Sequence, residues 1–254
     1  MGNVHAQFNL ALMYAHGNGV QEDDTEAVKW YRKAAEQGLD VAQFNLGNMY
    51  DRGDGVAEDD TEAVKWFRKA AEQGHAGACN NLGLMYDNGN GVPEDDTEAV
   101  KWFRKAAGQG YYIAQNNLGF MYDSGEGVPE DDTEAVKWFR KAAEQGLALA
   151  QNNLGLMYDS GEGVTEDDTE AVKWFRKAAE QGNAQAQNNL GAMYDKGDGL
   201  PEDDVVAYMW FNLAAAQGNK MAKNNKSRIS KVMTKEQIAE AQKLSREWLA
   251  KKQD

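Results

Sequence analysis

The segment Asp-Thr-Glu-Ala-Val-Lys-Trp-Phe-Arg-Lys-Ala-Ala returns along the chain every 36 residues, and its register never slips. Trp30, Trp66, Trp102, Trp138, Trp174 and Trp210 mark it. A unit of that length is too short to enclose its own apolar face, so each copy has to be covered by the next. The period therefore predicts one stacked array. It favours an extended, repeated surface over a single unique pocket.

The chain has 254 residues, 42% hydrophobic and 27% charged, which suits a soluble protein with a real core. No stretch approaches the roughly 18 apolar residues that a membrane helix needs, and no signal peptide stands at the start. Cys79 is the single cysteine, at the place where other copies carry Gln7, Gln43, Gln115, Gln151 and Gln187. That excludes an intrachain disulfide and a cysteine-based zinc site. The net charge of -14 is uneven: residues 220–254 carry +6 and the residues before them -20. Such an acidic array argues against nucleic acid as a partner. The acidity reads as solubility, with recognition of a basic partner as the alternative.

Each copy carries two helical patterns. In the first, Ala42, Leu46, Met49 and Tyr50 fall at i, i+4, i+7 and i+8, one face of a helix. Gly47, Gly83, Gly119, Gly155 and Gly191 recur within it, although glycine costs about 1 kcal/mol against alanine there. Ala11 takes the place in the first copy, so the demand is for smallness, as when a neighbouring helix comes close. In the second, Ala63, Phe67 and Ala70 form the core stripe with Trp66 and Ala71 at its flanks. Acids crowd its first turn and bases follow, the order that complements the helix dipole. Asp59 or Asp60 is its N-cap, and Gly74 with its equivalents 38, 110, 146, 182 and 218 ends it. The paired glycines of Gly53-Asp54-Gly55-Val56 suit a tight connection between the two helices.

Ala-x-x-x-Leu-Gly-x-x-Tyr, then Gly-x-Gly-Val, then Ala-x-x-Trp-Phe-x-x-Ala-Ala-x-x-Gly resembles the Sel-one-like repeat (SLR) family, a relative of the tetratricopeptide repeats. The likeness covers about residues 3–218 in six copies, 3–38, 39–74, 75–110, 111–146, 147–182 and 183–218. It implies an all-α, right-handed α-α superhelix of six helical hairpins. It also implies a non-catalytic scaffold or adaptor that binds a peptide or protein segment on its concave side, without a cofactor. Many bacterial members are exported, so the resemblance leans toward a periplasmic or secreted protein whose signal peptide has been removed, with the cytoplasm as the alternative.

The ends depart from the pattern. Val205, Val206, Met209 and Leu213 replace polar residues of the interior copies and turn a surface stripe apolar. Residues 220–254 are the natural cover: a worn half-repeat that keeps Met221, Ala222 and Asn225 in register, then a capping helix. Thr234 with Gln237 makes a capping box before that helix, and Ile238, Ala241, Ser245 and Trp248 line one side of it. The first copy lacks an equivalent cover, which leaves self-association through that end open.

Residues that could carry chemistry are sparse. His5, His16 and His75 are scattered and read as surface or packing residues. None of the serines begins a Ser-x-x-Lys motif, which weakens the alternative of a penicillin-binding or β-lactamase-like cell-wall enzyme. The stretch from Asp51 to Glu62 has the length of a calcium loop, but Gly53, Gly55 and Val56 stand where ligands and the turn glycine belong. Weak divalent-cation binding by the array is a third reading. The Trp and Tyr series reads as packing.

The face of the first helix opposite its core stripe is the best candidate surface. Asn9, Asn45, Asn81, Asn117, Asn153, Asn189 and Asn225 form one row along it, and Asn80, Asn116, Asn152 and Asn188 a second, replaced by Phe8 and Phe44 near the start. Their amides could hold the backbone of a bound peptide, or bond to neighbouring first helices as structural glue. The same face varies at Leu12, Asn48, Leu84, Phe120, Leu156 and Ala192, with Tyr111, Ile113 and Leu149 nearby. Apolar groups set among polar ones in this way suit a peptide groove.

Overall fold

The computed structural model describes residues 2–252, which form fourteen α-helices and no strand. They group into two compact units that divide between Glu130 and Asp131, inside the fourth copy of the repeat. The first unit holds α1 (Val4–His16), α2 (Asp24–Glu36), α3 (Asp40–Arg52), α4 (Asp60–Glu72), α5 (Ala76–Asn88), α6 (Asp96–Ala107) and α7 (Tyr112–Ser124). Within it α1–α2, α3–α4 and α5–α6 pair as hairpins, and α2 packs on α3, α4 on α5 and α6 on α7. The second unit holds α8 (Asp132–Glu144), α9 (Ala148–Ser160), α10 (Asp168–Glu180), α11 (Ala184–Lys196), α12 (Asp204–Ala216), α13 (Lys220–Ile229) and α14 (Lys235–Ala250). There the hairpins are α9–α10 and α11–α12, with α8 on α9, α10 on α11, and α12 under both α13 and α14.

The two stripes expected from the sequence are the core. Ala42, Leu46, Met49 and Tyr50 are buried, as are Ala63, Phe67 and Ala70. The recurring helical glycine is a socket for the phenylalanine of its own hairpin. A Cβ added at Gly47 would lie 2.6 Å from the Phe67 ring, and one at Gly83 2.6 Å from Phe103; Gly155 and Gly191 meet Phe175 and Phe211 in the same way. The second glycine of each loop serves a different contact. Gly55 has φ +66°, and a Cβ there would sit 2.3 Å from the carbonyl carbon of Asp24, at the start of the preceding copy's second helix.

Asp59, not Asp60, caps α4: its Oδ1 accepts from the Glu62 N–H at 3.0 Å. Asp23, Asp95, Asp131, Asp167 and Asp203 do the same for their helices. At the other end, α14 covers the apolar stripe of α12. Leu244 and Trp248 pack on the cluster that holds Met209 and Leu213, Trp248 meets the Trp210 ring edge-on at 5.9 Å, and Ser245 Oγ donates to the Ala241 carbonyl. Both halves of the Thr234–Gln237 capping box form. Because α14 lies on α12, α13 can carry Lys226 at the register position of buried Leu46, and its ammonium donates to Asn212.

Helix propensity and packing make opposite forecasts at the glycine socket. Gly83→Ala gains about 1 kcal/mol of propensity, but its methyl drives into a ring that is fully buried. We expect a net loss of about 1–3 kcal/mol in denaturant unfolding. A gain in stability would show that the socket is not filled as described.

Candidate interaction face

The two asparagine rows are unequal. Asn80, Asn116, Asn152 and Asn188 are 1–5% exposed, whereas Asn45, Asn81, Asn117, Asn153 and Asn189 are half-buried. In the first unit Asn117 Nδ2 donates to Asn80 Oδ1 at 3.1 Å, Asn80 to Asn81 at 3.3 Å, and Asn81 to Asn48 at 3.0 Å. In the second, Asn225 donates to Asn188, Asn188 to Asn189, and Asn189 to Asn152. Each chain of amides crosses from one first helix to the next. The inner row is thereby enclosed in the stack, and contact with a ligand on this face falls to the outer row and its apolar neighbours. Where Phe8 and Phe44 replace the inner asparagine, rings replace amides: Phe8 lies against Tyr31 and Phe44 against Phe67.

Other polar links tie successive copies without touching this face. Gln43 Nε2 donates to the Ala35 carbonyl, where α2 ends, and its Oε1 accepts from Gln73 at 2.7 Å. Gln151 and Gln187 repeat the pattern. Arg32, Arg68, Arg140 and Arg176 each donate to the tyrosine hydroxyl of the following first helix, Tyr50, Tyr86, Tyr158 and Tyr194. Cys79 breaks the glutamine series, and the structure compensates: Lys105 Nζ donates to the Ala71 carbonyl that the thiol reaches only at 3.6 Å. Burial pushes the Cys79 thiol up, further from its reactive form.

The apolar residues of the outer face are employed in none of these links. In the first unit Leu84 is 36% and Phe120 49% exposed; in the second Leu149 and Leu156 are 47% and 41% exposed. Tyr111 is the N-cap of α7 and half-buried, with Ile113 half-buried two residues on. Tyr112, exposed beside the Tyr111 ring, escaped the sequence reading. Its signal was a lone aromatic at a position where Ala76, Ala148 and Ala184 stand in other copies.

Next to Leu84 lies a cavity of about 340 Å³ with Phe67 and Met85 in its floor and Asn48, Asn81 and Asp51 in its walls. A second cavity, of about 420 Å³, runs from Asn48 and Arg52 to Leu12 and the α1–α2 loop. Burial, then the carboxylate of Asp60, raise the Asp51 carboxyl above its ordinary value, against the pull of Arg52. Asp87, one copy on, is raised by burial and by Asp96, Glu126 and Glu94. Aspartates recur at 51, 87, 123, 159 and 195, and Asp51 lies in the wall of the cavity beside Leu84. Among the described residues no three His, Cys, Asp or Glu side chains gather in a way that could hold a metal, and no helix is long and apolar enough to cross a membrane.

Comparison with known proteins bears on the same segments. The family model for the Sel1 repeat matches residues 4–39, 40–75, 76–111, 113–147, 148–183 and 184–219. A Sel1 repeat protein from Oxalobacter formigenes of known structure is 39% identical over 90% of this chain, with a TM-score of 0.80; the match spans 66% of that protein's length. The protein c5321, a protective antigen present in uropathogenic Escherichia coli strains and displaying an SLR fold, is 31% identical over 98% of this chain and 77% of its own, with a TM-score of 0.51. No curated protein sequence matches the chain.

His75 adds a pH dependence at the edge of this face. Its Nδ1 accepts from the Ala78 N–H at 3.1 Å as the N-cap of α5, and its ring stacks on Phe44 at 4.5 Å. Burial lowers its pKa from the ordinary 6.5, against the pull of Asp40. The fold therefore favours the neutral ring: its contribution is full above pH 6.5 and is lost as pH falls toward the lowered value. His75→Asn keeps a cap of the kind that Asn3, Asn183 and Asn219 make. Relative to that variant the native protein is expected to lose thermal stability only below about pH 6.5. A difference that stays constant from pH 8 to pH 5 would contradict this.

Proposed function

The chain belongs to the Sel1 repeat family, whose members are generally protein-interaction scaffolds and typically non-enzymatic, and from that premise we propose that it binds a peptide or protein segment on its first-helix face. One observation carries the reading. The polar groups buried on this face are paired inside the stack, while Leu84 and Phe120 in the first unit and Leu156 in the second stand exposed in register and take no part in the amide links. Apolar side chains held in water by a rigid scaffold lower the cost of association, because neither helix nor side chain has to be reorganised. Asn81, Asn117 and Asn189 sit at the boundary, half-buried, with carbonyl and amide groups near enough to the surface to meet a ligand backbone.

The test separates binding from folding. In Leu84→Asp, Phe120→Asp, Leu156→Asp the three changes fall at exposed positions, so the unfolding midpoint and helical circular dichroism are expected to stay close to native. Capture of partner proteins from the source cell, read by mass spectrometry against the native protein, is expected to be lost. Undiminished capture by the triple variant would overturn the assignment of this face.

A further inference from the structure

The two cavities of the first unit adjoin, sharing Asn48 and Arg52 in their walls. Their charged lining is unbalanced. Asp51, Glu22, Asp24 and Asp54 face them, against the single guanidinium of Arg52. Leu84 and Leu12 supply the apolar surface beside these acids. A purely apolar ligand laid over Leu84 would strip water from the carboxylates and leave them unpaired, a costly arrangement. An acidic ligand would add repulsion. A ligand cation does the opposite, since it answers the partly desolvated carboxylate of Asp51 and the neighbouring acids Asp54, Glu22 and Asp24. A bare metal ion is poorly served, because no three metal-binding side chains converge among the described residues.

Building on the reading that this face holds a protein segment, we propose that the segment bound by the first unit is a basic–apolar peptide. Its apolar side chains lie on Leu84 and Phe120. Its lysine or arginine side chains enter the paired cavities toward Asp51 and the acids around it. The acidity of the array, which by itself reads as a device for solubility, becomes at this place a selector of partner charge. Arg52 carries the one permanent positive charge among the groove's lining residues, beside the imidazole of His16, and works against such a ligand, which gives the proposal a signed prediction.

Fluorescence anisotropy with three labelled twelve-residue peptides tests it, alternating Leu–Arg, Leu–Gln and Leu–Glu. The Leu–Arg peptide is expected to bind about tenfold tighter than Leu–Gln, the scale of one or two partly desolvated charge pairs, with Leu–Glu weakest. Asp51→Asn with Asp54→Asn removes the preference, and Arg52→Ala enlarges it. Leu84→Ser with Phe120→Ser weakens Leu–Arg and Leu–Gln alike. An arginine preference that survives Asp51→Asn with Asp54→Asn reflects general attraction to an acidic protein and overturns the proposal. If Leu–Gln equals Leu–Arg and both are lost with the serine variants, the charge assignment falls and the binding face stands. If the serine variants change nothing, the face itself is wrong.

Discussion

A buried amide has to find a partner, and in this protein the amide links reach from one copy to the next. Asn117 reaches Asn80, Asn81 reaches Asn48, Gln43 reaches the end of α2, and Arg32 reaches Tyr50. Each of these links spans a set number of residues. One inserted residue would leave unpaired the buried donors and acceptors whose links span it, at about 1–3 kcal/mol apiece. The period of 36 residues is thus not simply an echo of duplication. Where one amide stitch is replaced by a thiol, at Cys79, Lys105 donates to the same Ala71 carbonyl.

That constraint also sorts the first-helix face into two parts. The inner asparagines are consumed by the stack, so they cannot also be the main grip on a partner. What the stack leaves over is a set of exposed apolar side chains at one register position, with carboxylates beside them in the first unit. An interaction face follows from this division of labour, since groups not needed to hold the array are free to differ from copy to copy. Leu84, Phe120, Leu156 and Ala192 do differ, while the stitching residues scarcely do.

Much of this was legible before any coordinates. The hairpins, the core stripes, the aspartate caps and the capping box follow from spacing and residue type, because they depend on contacts within one copy. The helical glycine was legible as a close approach, yet its occupant, the phenylalanine of the same hairpin, was not. The burial of Asn80 and Asn152 was hidden for a definite reason. On an isolated helix those positions point away from the core stripe, and only the adjacent first helix covers them. The groove beside Leu84 was hidden likewise, since Asp51 comes from α3 and Glu22 and Asp24 from the loop and helix of the preceding copy.

The central claim is that buried asparagine amides hold the stack while the apolar residues beside them do not. Denaturant unfolding of two single variants tests it most directly. Asn80→Ala leaves the Asn117 amide without its acceptor and is expected to cost about 1–3 kcal/mol. Leu84→Ser, at an exposed position, is expected to stay within about 0.5 kcal/mol of native. A neutral Asn80→Ala, or a Leu84→Ser that costs as much, would contradict the account.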